Sequence, residues 1–305
     1  MKALDYKHLK ALSAVISEQS FEGAAKKLYI SQSAVSQRIK LLEESFASPV
    51  LIRTTPIATT DLGSRLLNHY HQISQLESNF LEEITLQDKN NPTKIAIALN
   101  ADSLATWFIP AISPLLKKHN IELDFYVTNE AHTQSLLKKG EVYSALSCQP
   151  LGVTNSKVTH IGNITYKLCA SPAFYEQYFR GKLTTEKLRL APGINYDQYD
   201  NMHEDYIQTH FKLSQSEYPC HRVRSSEAFL SMTLNGLAYS LIPHTQADQY
   251  LISGELMELL PHNRLIMPLY WHSWVLEKGV QKLLTEHVVA WGQEHFNGNT
   301  ENHRK

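Results

Sequence analysis

Residues 21–46 have the sequence FEGAAKKLYISQSAVSQRIKLLEESF. Apolar side chains recur in this stretch at helical spacing, first over residues 21–28 and again over residues 35–46. Ser31 stands just before the second run, where a serine side chain is a favoured helix cap. The stretch therefore predicts two short helices that are joined by a tight turn and share one small core.

The second predicted helix has a polar face opposite its apolar one. Ordinary solvent-exposed faces are rich in Lys and Glu, whereas Ser and Gln dominate this face near the helix start, where a recognition helix meets DNA bases. Such side chains can donate to and accept from base edges or phosphates in a major groove. We therefore predict DNA contacts from these residues, with an ordinary solvated face as the alternative interpretation. The predicted contacts are Ser31, Gln32, Ser33, Ser36, Gln37 and Lys40.

The flanking residues fit a small DNA-binding module. Before the two helices, apolar residues at helical spacing over residues 9–16 predict a third helix. After them, the extended apolar run PVLI at 49–52 leads into Arg53, Thr54 and the proline turn at Pro56. This pattern predicts a wing, with Arg53 and Thr54 expected to contact a phosphate or the minor groove.

These motifs together resemble a known family. The segments AAKKLYISQSAVSQRIKLLEE at 24–44 and PVLIRT at 49–54, followed by Thr60 and Gly63 before a long helix, are similar to the N-terminal domain of LysR-type transcriptional regulators. The resemblance implies an N-terminal all-α winged helix-turn-helix over residues 1–60 and a linker or dimerisation helix over 61–90. It also implies a C-terminal α/β effector-binding domain over 91–305, with two lobes like those of periplasmic binding proteins.

Residues 61–87 contain no proline and carry apolar residues in steps of three and four. They predict a helix about 40 Å long with one continuous apolar stripe. The stripe packs either on the chain's own C-terminal domain or, as the resemblance implies, on the same helix of a partner in a homodimer or tetramer. The polar stretch QDKNNP at 87–92 then predicts a hinge.

The charge is unevenly divided along the chain, although the formal net charge is only −1. Residues 1–65 hold nine Lys and Arg against six Asp and Glu, a balance of +3, and the remainder holds 20 against 24, a balance of −4. The excess on the DNA-binding part is modest. We therefore expect two copies to hold double-stranded promoter DNA together, with an affinity that falls steeply with salt.

Several classes of protein do not fit this sequence. No run approaches the roughly 18 apolar residues of a membrane span, and the N-terminus does not resemble a signal peptide, so we expect a cytoplasmic protein with no membrane partner. The three widely spaced cysteines predict buried thiols. No GxSxG, GxxxxGK, GxGxxG or HExxH pattern is present, and His69 and His71 do not share a helix face. We predict no catalysis, no metal and no cofactor.

Beyond residue 92, short apolar runs alternate with helical or loop stretches, which favours an α/β domain. The predicted strands are 94–99, 121–127, 142–147, 166–170, 190–196, 221–225, 238–242 and 269–272. The resemblance implies a cleft between lobe I, at 91–166 and 268–296, and lobe II, at 167–267.

The segment NADSLATWFIP at 100–110 follows the first of these strands and opens a helix. Asp102 or Ser103 is positioned to cap that helix, whose free N–H groups favour an anion such as a carboxylate. The alternative is a plain cap that serves only its own helix. The resemblance implies that Ser103 contacts a ligand and that Glu130 faces the cleft.

Further motifs narrow the resemblance. NADSLATW at 100, KKGEV at 138, SSEAF at 225, IPH at 242, SGEL at 253 and LYWH at 269 are similar to a branch of the family that responds to lysine or arginine. Such an effector needs a carboxylate cradle, an acceptor for its ammonium and an acid for its side chain. The candidate effector contacts are Asp102, Ser103, Glu130, Ser147, Asp197 and Asp200.

The resemblance predicts a transcriptional regulator that controls genes of amino-acid transport or biosynthesis, with RNA polymerase as a further partner. The loop at 127–130 carries one acid and Asn201 follows Asp200, where a more acidic pattern is expected, so a weaker or different effector stays open. The first alternative function is an architectural or replication-origin DNA-binding protein. The second is a solute-binding protein or enzyme with an accessory N-terminal domain.

Overall fold

The computed structural model describes residues 4–84, 92–128, 130–153, 155–198 and 200–296. Its N-terminal part contains three helices and a two-stranded antiparallel wing, followed by a long helix. The bounds are α1 Tyr6–Glu18, α2 Phe21–Leu28, α3 Gln32–Phe46, β1 Leu51–Ile52, β2 Ala58–Thr59 and α4 Asp61–Ile84. The two helices predicted from residues 21–46 are therefore present, as is the third helix before them.

Local capping sets the helix boundaries. The Ser20 side chain accepts a hydrogen bond from the Gly23 N–H, and Ser31 accepts from the Ala34 N–H, both at 3.2 Å. At the other ends, Tyr29 and Ala47 take left-handed backbone conformations that stop α2 and α3. These caps fix the tight turn between α2 and α3.

The wing is anchored to the start of α4. The Thr60 hydroxyl donates to the Pro49 carbonyl oxygen at 2.8 Å and accepts from the Gly63 N–H at 3.0 Å. A Cβ atom on Gly63 would lie 2.0 Å from the Val50 carbonyl oxygen. Residue 63 must therefore lack a side chain for the wing to dock on α4.

Helix α4 packs differently along its length. Leu66 and Leu67 are buried in the core formed by α1 to α3, so the first part of the apolar stripe packs within its own module. Farther along, Ile73 and Leu76 line a groove beside the C-terminal domain, and Phe80 is 58% exposed. The helix also contacts that domain through the Asn68 side-chain amide, which donates to the Lys138 carbonyl oxygen at 3.0 Å. The hinge predicted at 87–92 lies outside the described residues except for its last one.

The C-terminal part is an α/β structure, as predicted. Its strands are β3 Thr93–Leu99, β4 Ile121–Val127, β5 Ser144–Ser147, β6 Ser156–Ala170, β7 Gly193–Asn195, β8 Cys220–Arg222, β9 Ser240–Pro243, β10 Met257–Glu258 and β11 Leu265–Trp274. Its helices are α5 Ala101–Ser103, α6 Ile109–Leu116, α7 Glu130–Lys139, α8 Pro172–Phe174, α9 Thr185–Leu188, α10 Met202–Phe211, α11 Ser226–Leu234, α12 His244–Ser253 and α13 Gly279–Phe296. Single π turns, Leu104–Phe108 and Tyr175–Phe179, follow α5 and α8.

Seven strands form the main sheet in the order β10, β6, β11, β5, β3 and β4, with β9 also paired to β6. Strand β3 runs parallel to β4 and β5, whereas β11 runs antiparallel to β5 and β6. The long β6 and β11 pair from Ser156 opposite Trp274 to Tyr166 opposite Leu265. This ribbon connects the strands of one half of the domain to β9 and β10 in the other half.

Each predicted strand overlaps an observed one, but β6 begins ten residues earlier than its prediction and β10 was not predicted. The thiols also differ from the prediction: Cys169 is buried, while Cys148 and Cys220 are only partly buried. Within the described residues, no helix is long and apolar enough to cross a membrane.

The Gly63 contact yields a stability prediction. Gly63→Ala places a methyl group against the Val50 carbonyl oxygen, so the wing and α4 must separate, at a cost of about 2 kcal/mol or more. We expect amide hydrogen exchange in α1 to α3 to accelerate roughly 30-fold, because local opening becomes easier. Arg65→Ala, an exposed change on the same helix, is the control. Equal protection in both variants would contradict the close contact.

Candidate functional site

The predicted DNA-contacting residues of α3 share one exposed surface. Gln32, Ser33, Ser36, Gln37 and Lys40 are all exposed, while Val35, Ile39 and Leu42 on the other side of the helix are buried. The helix presents its polar face to solvent at a surface where a DNA major groove can approach.

Two of these side chains already have partners within the module. Ser33 shares a hydrogen bond with the capping Ser31 hydroxyl at 2.9 Å, which orients the first turn of α3. Lys40 lies 3.7 Å from the Glu44 carboxylate, and both are exposed. Exposed pairs of this kind contribute little, so Lys40 can exchange Glu44 for a phosphate at small cost.

The wing places a further cation beside the helices. Arg53 is exposed, and its guanidinium carbon lies 5.8 Å from the Phe21 ring centroid. Arg53 is thereby held near the start of α2. The Thr54 hydroxyl donates to the Pro56 carbonyl oxygen at 2.8 Å, so it shapes the wing turn. Contact of either residue with DNA stays a prediction.

Tyr29 is a surface residue that the sequence interpretation did not single out. It lies in the turn between α2 and α3 with 95% of its surface exposed. The apolar residues at helical spacing before it are buried or half-buried. A bulky aromatic residue that falls outside this spacing, in a predicted tight turn, was the sequence signal for its exposure. It stands two residues before the Ser31 cap, in the turn that leads into α3.

The candidate ligand site is a cleft between the two halves of the C-terminal domain. The carboxyl ends of β3 and β4 form one wall, where the Thr128 N–H donates to the Leu99 carbonyl oxygen at 3.1 Å. The starts of α10 and α11 form the other wall. About 550 Å³ of space, part of it open to solvent, lies among Asn100, Ala101, Asp102, Thr128, Ile194, Tyr196, Asp200, Met202, His203, Ser226, Phe229 and Leu241. Small-molecule sites commonly lie in such clefts between two halves of a structure.

The start of the first cleft helix differs from the prediction. Asn100 is the cap, and its side-chain oxygen accepts a hydrogen bond from the Ser103 N–H at 3.1 Å. The prediction that Asp102 or Ser103 caps the helix is therefore wrong, because the chain turns into the helix directly after β3. Ser103 is fully buried, and its hydroxyl has no partner within the residues that the structure describes. Because Asn100 caps the helix, the Asp102 side chain is available to line the cleft.

Asp102 connects the cleft to the β6 strand. Its carboxylate accepts a hydrogen bond from the Tyr166 hydroxyl at 2.7 Å. Burial raises the pKa of Asp102, and the negative charges of Asp200 and Glu227 raise it further, while hydrogen bonds from Ser226 and Tyr166 oppose the rise. The ionised carboxylate is thus held in a site that favours a compensating positive charge.

Asp200 provides a second acid on the opposite wall. Its carboxylate oxygens accept from the Met202 N–H at 3.1 Å and the Tyr196 N–H at 3.4 Å. Burial is the main cause that raises the pKa of Asp200, and repulsion from Asp197 and Asp205 adds to it. Two acids with raised pKa values therefore face one cleft from its two sides.

The remaining predicted effector contacts have other surroundings. Asp197 lies 3.5 Å from the Arg224 guanidinium, and it is not part of the cleft lining. Ser147 is fully buried at the end of β5, where its hydroxyl accepts from the Gln149 N–H at 3.1 Å. Glu130 is the first residue of α7, and its side chain lies outside the described part. Of the six predicted contacts, the structure brings Asp102 and Asp200 together in the cleft.

Polar residues of the lining that the sequence interpretation missed are Asn100, Thr128, Tyr196, His203 and Ser226. Asn100 is the first residue of the NADS motif, next to the predicted contacts Asp102 and Ser103, so its position in the sequence could have indicated that it lines the cleft. The others lie far apart in the sequence, so only the fold shows that they share a cleft. Across the described residues, no group of three or more His, Cys, Asp or Glu side chains is arranged to hold a metal ion.

Two family models match this chain. The one described as bacterial regulatory helix-turn-helix protein, lysR family, matches residues 6–64, and the one described as LysR substrate binding domain matches residues 90–294. The HTH-type transcriptional regulator ArgP of Aeromonas salmonicida is 47% identical over 293 residues, which are 96% of this chain and 98% of that protein. ArgP of Vibrio vulnificus is 42% identical over 296 residues, covering 97% and 99%.

Solved structures give the same result. ArgP from Mycobacterium tuberculosis superposes with a TM-score of 0.84 at 30% identity, covering 95% of this chain and 98% of that one. Full-length LysG from Corynebacterium glutamicum with bound effector Arg superposes with a TM-score of 0.80 at 30% identity, covering 95% and 99%. The predicted fold, a winged helix-turn-helix with a linker helix and a two-lobed effector domain, is confirmed by these matches.

The exposed face of α3 and the wing yield a paired prediction. Gln37→Ala removes a side chain able to bond a base edge, so binding should lose about 1–3 kcal/mol on the preferred site and little on unrelated DNA. Arg53→Ala should weaken binding to all sequences alike and flatten the salt dependence, because it removes one phosphate contact. Gel shifts on preferred and scrambled DNA at several salt concentrations measure both. Wild-type behaviour of both variants would place the interface elsewhere.

Proposed function

This chain belongs to the LysR family of bacterial helix-turn-helix regulators, and we propose that a basic amino acid, arginine or lysine, is the effector that controls it. The two opposed carboxylates of Asp102 and Asp200 in the cleft carry this proposal. Each is buried enough to have a raised pKa, and each is repelled by further acids. A cationic ligand relieves that repulsion, whereas an anionic or apolar ligand does not.

The cleft also offers groups for the rest of an amino acid. Ala101 and Asp102 line it at the start of a helix, where N–H groups and the helix dipole favour a carboxylate. The fully buried hydroxyl of Ser103, which has no partner among the described residues, lies in the same turn. LysG, solved with bound effector Arg, supports an amino acid of this class as the ligand. Asp102 and Asp200 then take the two cationic groups.

Control of DNA binding requires two copies. The N-terminal 65 residues carry a balance of only +3, so a dimer doubles the charge that meets the phosphates. Phe80, exposed on α4 beyond the part that packs in its own module, supports pairing through this helix. The effector acts by binding one arrangement of the two copies more tightly than another. A contact with RNA polymerase and a cytoplasmic location stay predictions of this proposal.

Intact protein on its own upstream intergenic DNA tests the function. We expect a discrete, salt-sensitive complex in a gel shift, and we expect its mobility, its affinity or transcription from the promoter to change when arginine or lysine is added. Uniform binding to every DNA, unchanged by either amino acid, would instead favour the architectural or replication-origin alternative.

The two acids give the effector affinity a defined pH dependence. Their pKa values are raised in the free protein, and a bound cation lowers them, so binding releases protons and weakens as the pH falls. Calorimetry at pH 7 and at pH 5 should show a lower affinity for arginine at pH 5, because protonated carboxyl groups no longer attract the cation.

Asp200→Asn should reduce the affinity at pH 7 by tenfold or more and flatten the pH dependence. Asp124→Asn, which makes the same change at an exposed position on β4 outside the cleft lining, is the matched control and should bind nearly as the wild type does. An affinity for arginine that rises towards pH 5, or an Asp200→Asn variant that binds normally, would contradict the role of the carboxylates.

A further inference from the structure

His203 is a buried side chain of the cleft to which no described residue supplies a hydrogen bond. The residue is 3% exposed and belongs to the cleft lining, in the first turn of α10. Neither ring nitrogen has a partner within the residues that the structure describes. A neutral imidazole has one N–H donor and one lone pair, and leaving either unpaired inside a protein costs about 1–3 kcal/mol.

Two aromatic rings and a glycine surround the His203 ring. The Tyr239 and Tyr218 rings lie against it, with centroid distances of 5.3 Å and 6.0 Å. A Cβ atom on Gly193 would lie 2.7 Å from the His203 Nε2 atom, so the absence of a side chain there makes room for the ring. The Asn195 side chain and the two tyrosine hydroxyls nearby are also unpaired in the described structure. Of these four polar side chains, His203 lines the cleft.

The charge state of the ring suits a site for a cation. Burial lowers the pKa of His203 to about 4, so the imidazole is neutral at physiological pH. A neutral ring offers a lone pair without repelling a positive ligand, whereas a protonated one would oppose the attraction of Asp102 and Asp200. Asp200 stands three residues earlier on the same wall, where its carboxylate is held at the start of α10.

We propose that His203 is a direct ligand contact on lobe II, where its ring accepts an N–H of the effector's cationic side chain beside the Asp200 carboxylate. This inference rests on the proposed function, and it adds which residue helps to select the side chain. A guanidinium has five N–H donors in a fixed plane, so a carboxylate and a neutral acceptor on one wall can bind different edges of it. A lysine ammonium is a compact charge that needs less of this geometry. His203 therefore contributes more to binding arginine than to binding lysine.

The test is calorimetry on the full-length protein with arginine and with lysine. His203→Phe, which keeps a ring but removes both nitrogens, should lose at least tenfold in affinity for arginine and less for lysine. His203→Asn keeps a donor and an acceptor and should recover part of the loss. His210→Phe, at an exposed position on the same helix, is the control and should bind as the wild type does.

A second measurement holds even if His203→Phe folds poorly. In wild-type protein labelled with ¹⁵N-histidine, saturating arginine should shift the signal of the His203 ring nitrogen that accepts the hydrogen bond, and it should shift the other ring nitrogen less. Normal affinities in His203→Phe, or ring signals that arginine leaves in place while it binds, would overturn the ligand role and leave the effector assignment intact. Wild-type protein that binds neither arginine nor lysine would overturn both.

Discussion

The antiparallel pairing of β6 with β11 is the constraint on which the effector domain depends. These two strands run across the domain together and connect its two halves, and the cleft lies between those halves. Tyr166 lies on β6 at the last register of this pairing, and its hydroxyl bonds the Asp102 carboxylate. The acid on one wall is therefore tied to the ribbon that joins both halves.

The linker helix connects that domain to the DNA-binding module through two sets of contacts. Its first part is fixed by Leu66 and Leu67 in the core of α1 to α3. One turn later His71 shares a hydrogen bond with Ser13 of α1 at 3.2 Å, and a Cβ atom on Gly140, after α7, would lie 2.7 Å from its Nδ1 atom. Helix α7 in turn begins two residues after Thr128, which lines the cleft. Helix α4 thus contacts both the DNA-binding helices and the residue that follows α7, so a displacement of one part can act on the other through it.

Local signals were sufficient for the DNA-binding module and insufficient for the cleft. The Ser31 cap and the polar face of α3 depend on residues close in sequence, so their pattern predicted the structure. The cap at Asn100 was missed because Asn100, Asp102 and Ser103, three polar residues within four positions, can each cap a helix, and the end of β3 decides among them. The hydrogen bond of Tyr166 to Asp102 joins residues that are 64 positions apart in the sequence. The packing of the His203 ring likewise depends on Gly193 and on two tyrosines that are distant in sequence. No spacing pattern in the sequence predicts these long-range contacts.

The acids that attract the ligand also cost the empty protein stability. Folding raises the pKa of Asp102 and of Asp200, so the folded state holds protons that the unfolded chain has released. Stability is therefore lost as the pH rises from the unfolded value of about 3.9 through the raised folded values, and it is not regained at neutral pH. A bound cation offsets that loss of stability only when the two halves are arranged so that Asp102 and Asp200 both contact it. The energy for the switch then comes from the interaction of the cation with two carboxylates whose ionised forms are disfavoured, first by burial and then by nearby negative charge.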